Sequence, residues 1–488
     1  MSSSTINCYG IDLGATEATV ARLRGSAVHV FRNAEGAEST PCAVYLNKAN
    51  SLVVGRSAKE KCESDPGNAF REFRRDMGSG TEYCFARNGR RMKPEELSAE
   101  VLKSLCADVQ RATGDTVKAA VITVPAEFDT PQTKATKAAA QLAGIKHTML
   151  LTEPVAAAFQ YGFDRQHDKT FWLAYDFGGG TFDAAVIQVR DGLIQVAGHG
   201  GDNHLGYRNI DWAIVEELFI PTVVQDRPLA DFRRGITKWR SAIAKLKIQA
   251  EEARILLFSP TTISAEVHVD FLCNDDRGEP VEFDYVLQRS ELERLASPFI
   301  RRTINVCKEV LAARRLTPAD IHKAILVGEG TMHPLVRQLL SDSDTGLGVP
   351  LEFSVDPMTV VARGAAVFAA SQRMVPDDPD SRIHRLTLEP QQPAIDGFTE
   401  IVGRVTGPPE LSSQGLTLEF TNENTQPEWN SGPIPLDSRG SFAVMAKIYS
   451  GAATNEFRVA IRDAQGNRLK LTPDYLVLRT RKGSGKFH

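Results

Sequence analysis

Two short segments of this sequence share one arrangement, in which an aspartate closes an apolar run and a glycine turn follows. In "GIDLGATEATVA" the aspartate is Asp12, and the turn passes through Gly14, Ala15 and Thr16. In "DFGGGTFD" it is Asp176, and the turn passes through Gly178, Gly179 and Gly180 to Thr181 and Asp183. Successive backbone N–H groups in such a turn form a nest for an anion such as phosphate. Glycine lets the backbone approach phosphate oxygens where any Cβ would clash. A carboxylate beside the turn can hold a hydrated Mg²⁺, a hard cation that takes oxygen ligands and keeps much of its water.

A single Asp-x-Gly turn is commonplace, because aspartate caps turns wherever glycine follows. Two in one chain, with Glu153 between them in "LLTEPVAAA", make a phosphate-site signature. A further segment, "ILVGEGTMHP", is an apolar strand, Ile325 to Val327, that delivers Gly328 and Gly330 to a helix start. Bare backbone at a helix N-terminus suits a nucleoside and its first phosphate. No GxxxxGK[ST] run occurs, so the P-loop class is not supported.

The elements that must hold these turns alternate between strand and helix from residue 5 to about 370, an α/β pattern. "FWLAYDFGGGTFDAAVIQV" reads as two strands joined by a glycine turn, a hairpin and not a strand-to-helix loop. A helix is predicted over Glu95 to Arg111, with Leu97, Val101, Leu102, Leu105 and Val109 on one face. Another follows the strand "AAVITVP", with a proline in its first turn and a stop at Gly144. Residues 373–395 are rich in Pro, Asp and Arg without a sustained period, and read as a solvated linker between a domain at 1–372 and one at 396–488. In the second domain Leu416, Leu418 and Phe420 alternate, as do Phe457, Val459 and Ile461, which predicts a small antiparallel β-sandwich with Trp429 in its core.

Composition narrows the classes of function. The 488 residues are 42% hydrophobic and 24% charged with a net charge of -4, which offers no clustered positive surface for nucleic acid or an anionic membrane. No stretch of eighteen uncharged apolar residues and no leader-like N-terminus is present, so a cytoplasmic location is expected. The seven cysteines are scattered and never in CxxC spacing, which argues against zinc and disulfides alike.

Beyond the hairpins, "VITVPAEFDTPQTKATKAAAQLAG", "EPVAAAFQYGFD", "GDNHLG" and "DPMTVVARGAAVFAA" carry a family likeness. Over about residues 5 to 372 the chain resembles the ATPase domain of the 70-kDa heat-shock (DnaK-type) chaperones, within the actin-like superfamily. The resemblance implies a two-lobed actin-like fold built on an RNase H-like repeat, with ATP or ADP and Mg²⁺ as cofactors. In that frame Asp12 and Asp176 would position the hydrated metal, and Glu153 and Asp183 would orient the attacking water. Thr181 would lie beside the γ-phosphate. Gly14, Ala15, Thr16 and Gly178 to Gly180 would cradle phosphates, Glu251 and Arg254 would line the adenosine side, and Gly328 and Gly330 would form the adenine loop. Pro125 matches a proline that relays nucleotide state. Phosphoryl transfer asks mainly for positioning and charge stabilisation, which such a set supplies.

The departures count as well. Ala15 stands where the family has a second hydroxyl, and Arg74 where it has a lysine over the γ-phosphate. A guanidinium fork does not replace a point charge, and each lost donor costs on the order of 10²–10³ in rate. Phe258, Glu329, Met332, Tyr207 and Arg208 also depart, on the base side and after "HLG". After Ala370 there is no leucine-rich linker, and residues 371–488 are not expected to form both a peptide clamp and a helical lid. Three readings follow: a weakly hydrolysing DnaK-like chaperone or nucleotide switch acting on a protein client, a non-hydrolysing adaptor whose β-domain docks a partner, and a small-molecule kinase of the same superfamily.

Overall fold

The computed structural model describes residues 7–161, 170–190, 193–225, 227–371, 383–388, 397–407, 415–422, 424–437, 440–449, 454–472 and 474–479. The chain divides into two compact units, Met1–Val375 and Pro376–His488.

The first unit is α/β and rests on two main sheets. One takes the order His147–Thr152, Ala119–Val124, Cys8–Leu13, Glu17–Arg24, Ala27–Val30, and the other Leu193–Asp202, Phe182–Arg190, Thr170–Phe177, Ile321–Val327, Leu351–Glu352. Each repeats one motif at its centre. Cys8–Leu13 turns back antiparallel onto Glu17–Arg24 and lies parallel to Ala119–Val124. Thr170–Phe177 turns back onto Phe182–Arg190 and lies parallel to Ile321–Val327. The predicted glycine hairpin is therefore present, with Asp176 opposite Asp183 in register. Ala119–Val124 is buried at every position and Ile321–Val327 from Ala324 onward, as strands covered on both faces require.

Helices cover both sheets. The helix expected over Glu95 to Arg111 spans Pro94–Thr113, buries the predicted face and ends at Gly114, whose φ of 75° only glycine adopts freely. Thr130–Leu142 starts from Asp129, whose side chain accepts from the Gln132 amide at 2.9 Å. Two alanine-rich helices, Glu153–Tyr161 and Val360–Ser371, pack with strands of both sheets around Val121, Trp172, Ala174, Ile325 and Val327. Small residues are needed there. A Cβ on Gly364 would strike the Ala156 carbonyl, and one on Gly10 the backbone at Ala365 and Ala366.

Among its described residues the second unit is all β, with nine strands in one hydrogen-bonded sheet. Phe420 and Phe442, from strands far apart in the sheet order, meet with ring centroids 5.5 Å apart, so the sheet folds over a single core. Trp429 is half-buried against that core. Two expectations are corrected. Ile383–Leu388, inside the stretch read as a linker, is a strand, and it pairs parallel with Arg468–Thr472 in a sheet expected to be wholly antiparallel. Alternation in "RIHRLTL" is brief and its flanks are rich in Pro, Asp and Gln, which hid it. The rest of the 373–395 segment lies outside the described residues.

Candidate functional site

The two hairpins bring their tips together. A Cβ on Gly179 would run into the Thr16 side chain, and one on Gly206 into the backbone of Gly179 and Gly180. Around the tips a cleft of about 580 Å³ is lined by Asp12, Gly14, Ala15, Thr16, Arg74, Glu153, Asp176, Gly178, Gly179, Thr181, Asp183 and Gly328, with Glu17, Tyr207 and Glu329. Sequence segments separated by more than 300 residues thus converge. The hairpins approach where side chains are missing, which is the cradle an anion needs.

Desolvation shapes the carboxylates. Burial, then the Glu153 charge, pushes Asp12 up to about 7, although the Thr123 hydroxyl donates to Asp12 Oδ1 at 2.7 Å and works the other way. Burial, then Glu153 and Glu127, brings Asp183 to about 7 as well. Asp176 stands well above the usual carboxylate range through burial, then Glu153, Asp183 and Asp12. Such a group of repelling, desolvated oxygens is relieved by a divalent cation. Among the described residues no three His, Cys, Asp or Glu side chains cluster closely enough to hold a metal unaided. The carboxylates fit a hydrated divalent cation, which Asp12 and Asp176 would hold through its water shell.

Arg74 is buried and committed. Its Nη1 donates to the Leu13 carbonyl at 2.7 Å and to the Glu153 carboxylate. Although burial disfavours its charge, Glu153 holds the guanidinium firmly cationic. The residue expected over the terminal phosphate and a residue expected to orient water are thus paired with each other.

The base side differs from the sequence reading. Arg254 is fully buried and does not line the cleft. It donates from Nε to Asp211 and from Nη2 to Glu329 at 3.1 Å, with its guanidinium 4.5 Å from the Tyr207 ring and 5.1 Å from Phe258. Glu251 faces a neighbouring space and accepts from Lys59 at 2.7 Å. Burial raises its carboxyl, but Lys247 and Lys59 outweigh that and hold it at about 2. Gly330 lies beneath the cleft, where a Cβ would meet the Phe177 ring. Gly180 sits at the hairpin tip against the guanidiniums of Arg75 and Arg208.

Sequence reasoning missed Glu17, which burial raises to about 7 at the cleft wall, and Asp211, which also accepts from Lys247 at 2.9 Å. Glu17 directly follows the turn from Gly14 to Thr16, but an acid at that place gives no sign in the sequence of being buried, and Asp211 lies within the helix Tyr207–Ile214, outside both hairpins. An unpaired charge cannot stay inside a core, so the wholly buried Arg254 demanded an acid somewhere, but only the fold says where.

A family model described as Hsp70 protein matches residues 8–86 and 81–381. The chain belongs to the HSP70 family. It is similar to the protein named Chaperone protein DnaK from Cenarchaeum symbiosum (strain A), at 32% identity over 426 residues, or 85% of this chain. It spans 62% of that relative's length. The matched span holds every cleft residue of this HSP70 chain. No helix among the described residues is long and apolar enough to cross a membrane.

Proposed function

We propose that the first unit binds ATP or ADP with Mg²⁺ in a two-lobed, actin-like cleft and hydrolyses ATP slowly, as a cytoplasmic DnaK-like chaperone or nucleotide switch. The observation that carries this reading is the meeting of two glycine hairpins at Thr16 and Gly179, each preceded by an aspartate that a hydrated metal would join. Bound Mg²⁺ would neutralise phosphate charge. Asp183, titrating near neutral pH, would help to orient water. Ala15 supplies no hydroxyl, and Arg74 is held by Glu153, so positioning for transfer is weaker than for binding. The β-unit would meet a protein client or partner.

The same Arg74–Glu153 pair favours a second reading, in which ATP is retained without turnover and the chain serves as an adaptor. A single-turnover phosphate-release assay, with and without small-molecule acceptors, separates these. Slow release that is independent of acceptor supports the ATPase. Complete retention supports the adaptor, and transfer to an acceptor would overturn both in favour of a kinase.

A further inference from the structure

Two residues outside the roles above converge on the phosphate hairpin. Arg208 stands in the "GYRN" run after "HLG". Its Nε donates to the Gly179 carbonyl at 3.1 Å, and its guanidinium lies against Gly180. Arg75 arrives from the other side, from the short 3₁₀ turn Phe73–Asp76, and its guanidinium lies against the same glycine. Two like charges at one point need a counter-ion, and Glu72 supplies it. Glu72 Oε1 lies against the Arg208 guanidinium as a charge contact without a hydrogen bond, and Glu72 Oε2 pairs with Arg75 Nη1 at 3.0 Å.

The arrangement is not fully satisfied. Arg75 Nε and Nη2 and Glu72 Oε1 are buried without a hydrogen-bond partner, although such groups ordinarily find one. Glu72 itself sits at φ 60°, in the left-handed region that a side chain rarely adopts. Burial, then the nearby Arg71, lowers the Arg208 guanidinium to about 10, which leaves it cationic at neutral pH. The spaces lined by Arg208 and by Arg75 each share lining residues with the cleft: Thr16 and Tyr207 for one, Ala15, Thr181 and Asp183 for the other.

We infer that Arg75 and Arg208 are a clamp for the terminal phosphate of the bound nucleotide, and that Glu72 occupies it as a stand-in anion until that phosphate arrives. The inference rests on the proposed nucleotide cleft. A phosphate offers two arginines more acceptor oxygens than one carboxylate does, and charge-assisted, forked contacts are the strong ones. The clamp supplies the cationic contacts that Arg74, tied to Glu153, does not. It acts on ATP and not on ADP.

The test is titration of the full chain with Mg²⁺ and either ADP or a non-hydrolysable ATP analogue, for the unaltered protein, Glu72→Gln and Arg208→Ala. Glu72→Gln frees the arginines and should tighten the ATP analogue relative to ADP by about tenfold, whereas Arg208→Ala should weaken it by a similar factor with ADP binding kept. Equal shifts for both nucleotides, or a loss of analogue affinity in Glu72→Gln, would mean that the three residues form only a structural ion pair. Binding of neither nucleotide to the unaltered chain would overturn the cleft reading together with the clamp. Normal ADP binding with an unchanged ratio in both variants overturns the clamp alone.

Discussion

Arg74 and Glu153 lie 79 residues apart and form a buried ion pair in the wall of the cleft, where Arg74 also donates to the Leu13 carbonyl. The pair joins the Phe73–Asp76 turn to the start of the helix Glu153–Tyr161 and to the first hairpin strand. Removing one partner of such a pair strands a charge, at a cost of about 3–5 kcal/mol. Arg74→Ala should therefore lower stability in urea far more than Arg74→Lys, which keeps the charge. Equal losses would show that the pairing contributes little.

The same pair sets an expectation for rate. Lysine at position 74 would leave Glu153 less rigidly held, and threonine at position 15 would restore a hydroxyl at the first hairpin. Arg74→Lys combined with Ala15→Thr should raise single-turnover hydrolysis by about tenfold or more, because donors restored to the transition state act on rate more than on binding. An unchanged or slower rate would remove both residues from the transition-state account.

The base-side network yields a stability prediction. Asp211 accepts from two buried cations, Arg254 and Lys247. Asp211→Ala should destabilise the first unit by about 3–5 kcal/mol, and Asp211→Asn by less, because the amide still offers an acceptor. Chemical denaturation checks this. A loss within about 0.5 kcal/mol would mean that water replaces the carboxylate, as at an ordinary surface site.

The raised carboxylates give a pH dependence with a definite sign. Asp12, Asp183 and Glu17 hold their protons up to about 7 in the folded chain, whereas an unfolded chain releases them near 4. The folded state thus carries more protons across that window, and this contribution to stability is lost as pH rises from about 4 through 7. The melting temperature of the nucleotide-free chain should fall between about pH 5 and pH 8. Mg²⁺-nucleotide binding should release protons and tighten over the same range. Proton uptake on binding, read by calorimetry in buffers of different ionisation heat, would contradict the assignment.

Much of the site was legible because its chemistry is local. An aspartate, a glycine turn and a returning strand occupy about ten adjacent residues, so Asp12, Gly14, Asp176 and Gly179 could be found without a fold. The Arg254–Asp211 pair joins residues 43 apart, and the Glu72–Arg208 pair residues 136 apart. No period in the sequence links either pair. Glu251 and Arg254 stand i,i+3 on the helix Arg240–Leu256, yet Arg254 turns inward because Asp211, Glu329 and two rings enclose it. The strand Ile383–Leu388 escaped because its partner, Arg468–Thr472, lies some 85 residues away and supplies the order that its own short alternation cannot.

The most direct measurement is calorimetric titration of the full chain with ATP and with ADP, in the presence and absence of Mg²⁺, alongside Asp176→Asn. The account predicts saturable binding of both nucleotides that depends on Mg²⁺, with affinity at least about tenfold weaker in Asp176→Asn, which removes one of the two carboxylates proposed to orient the metal. No binding heat and no rise in melting temperature at millimolar nucleotide with Mg²⁺, or binding indifferent to both the metal and Asp176, would contradict the assignment of the cleft.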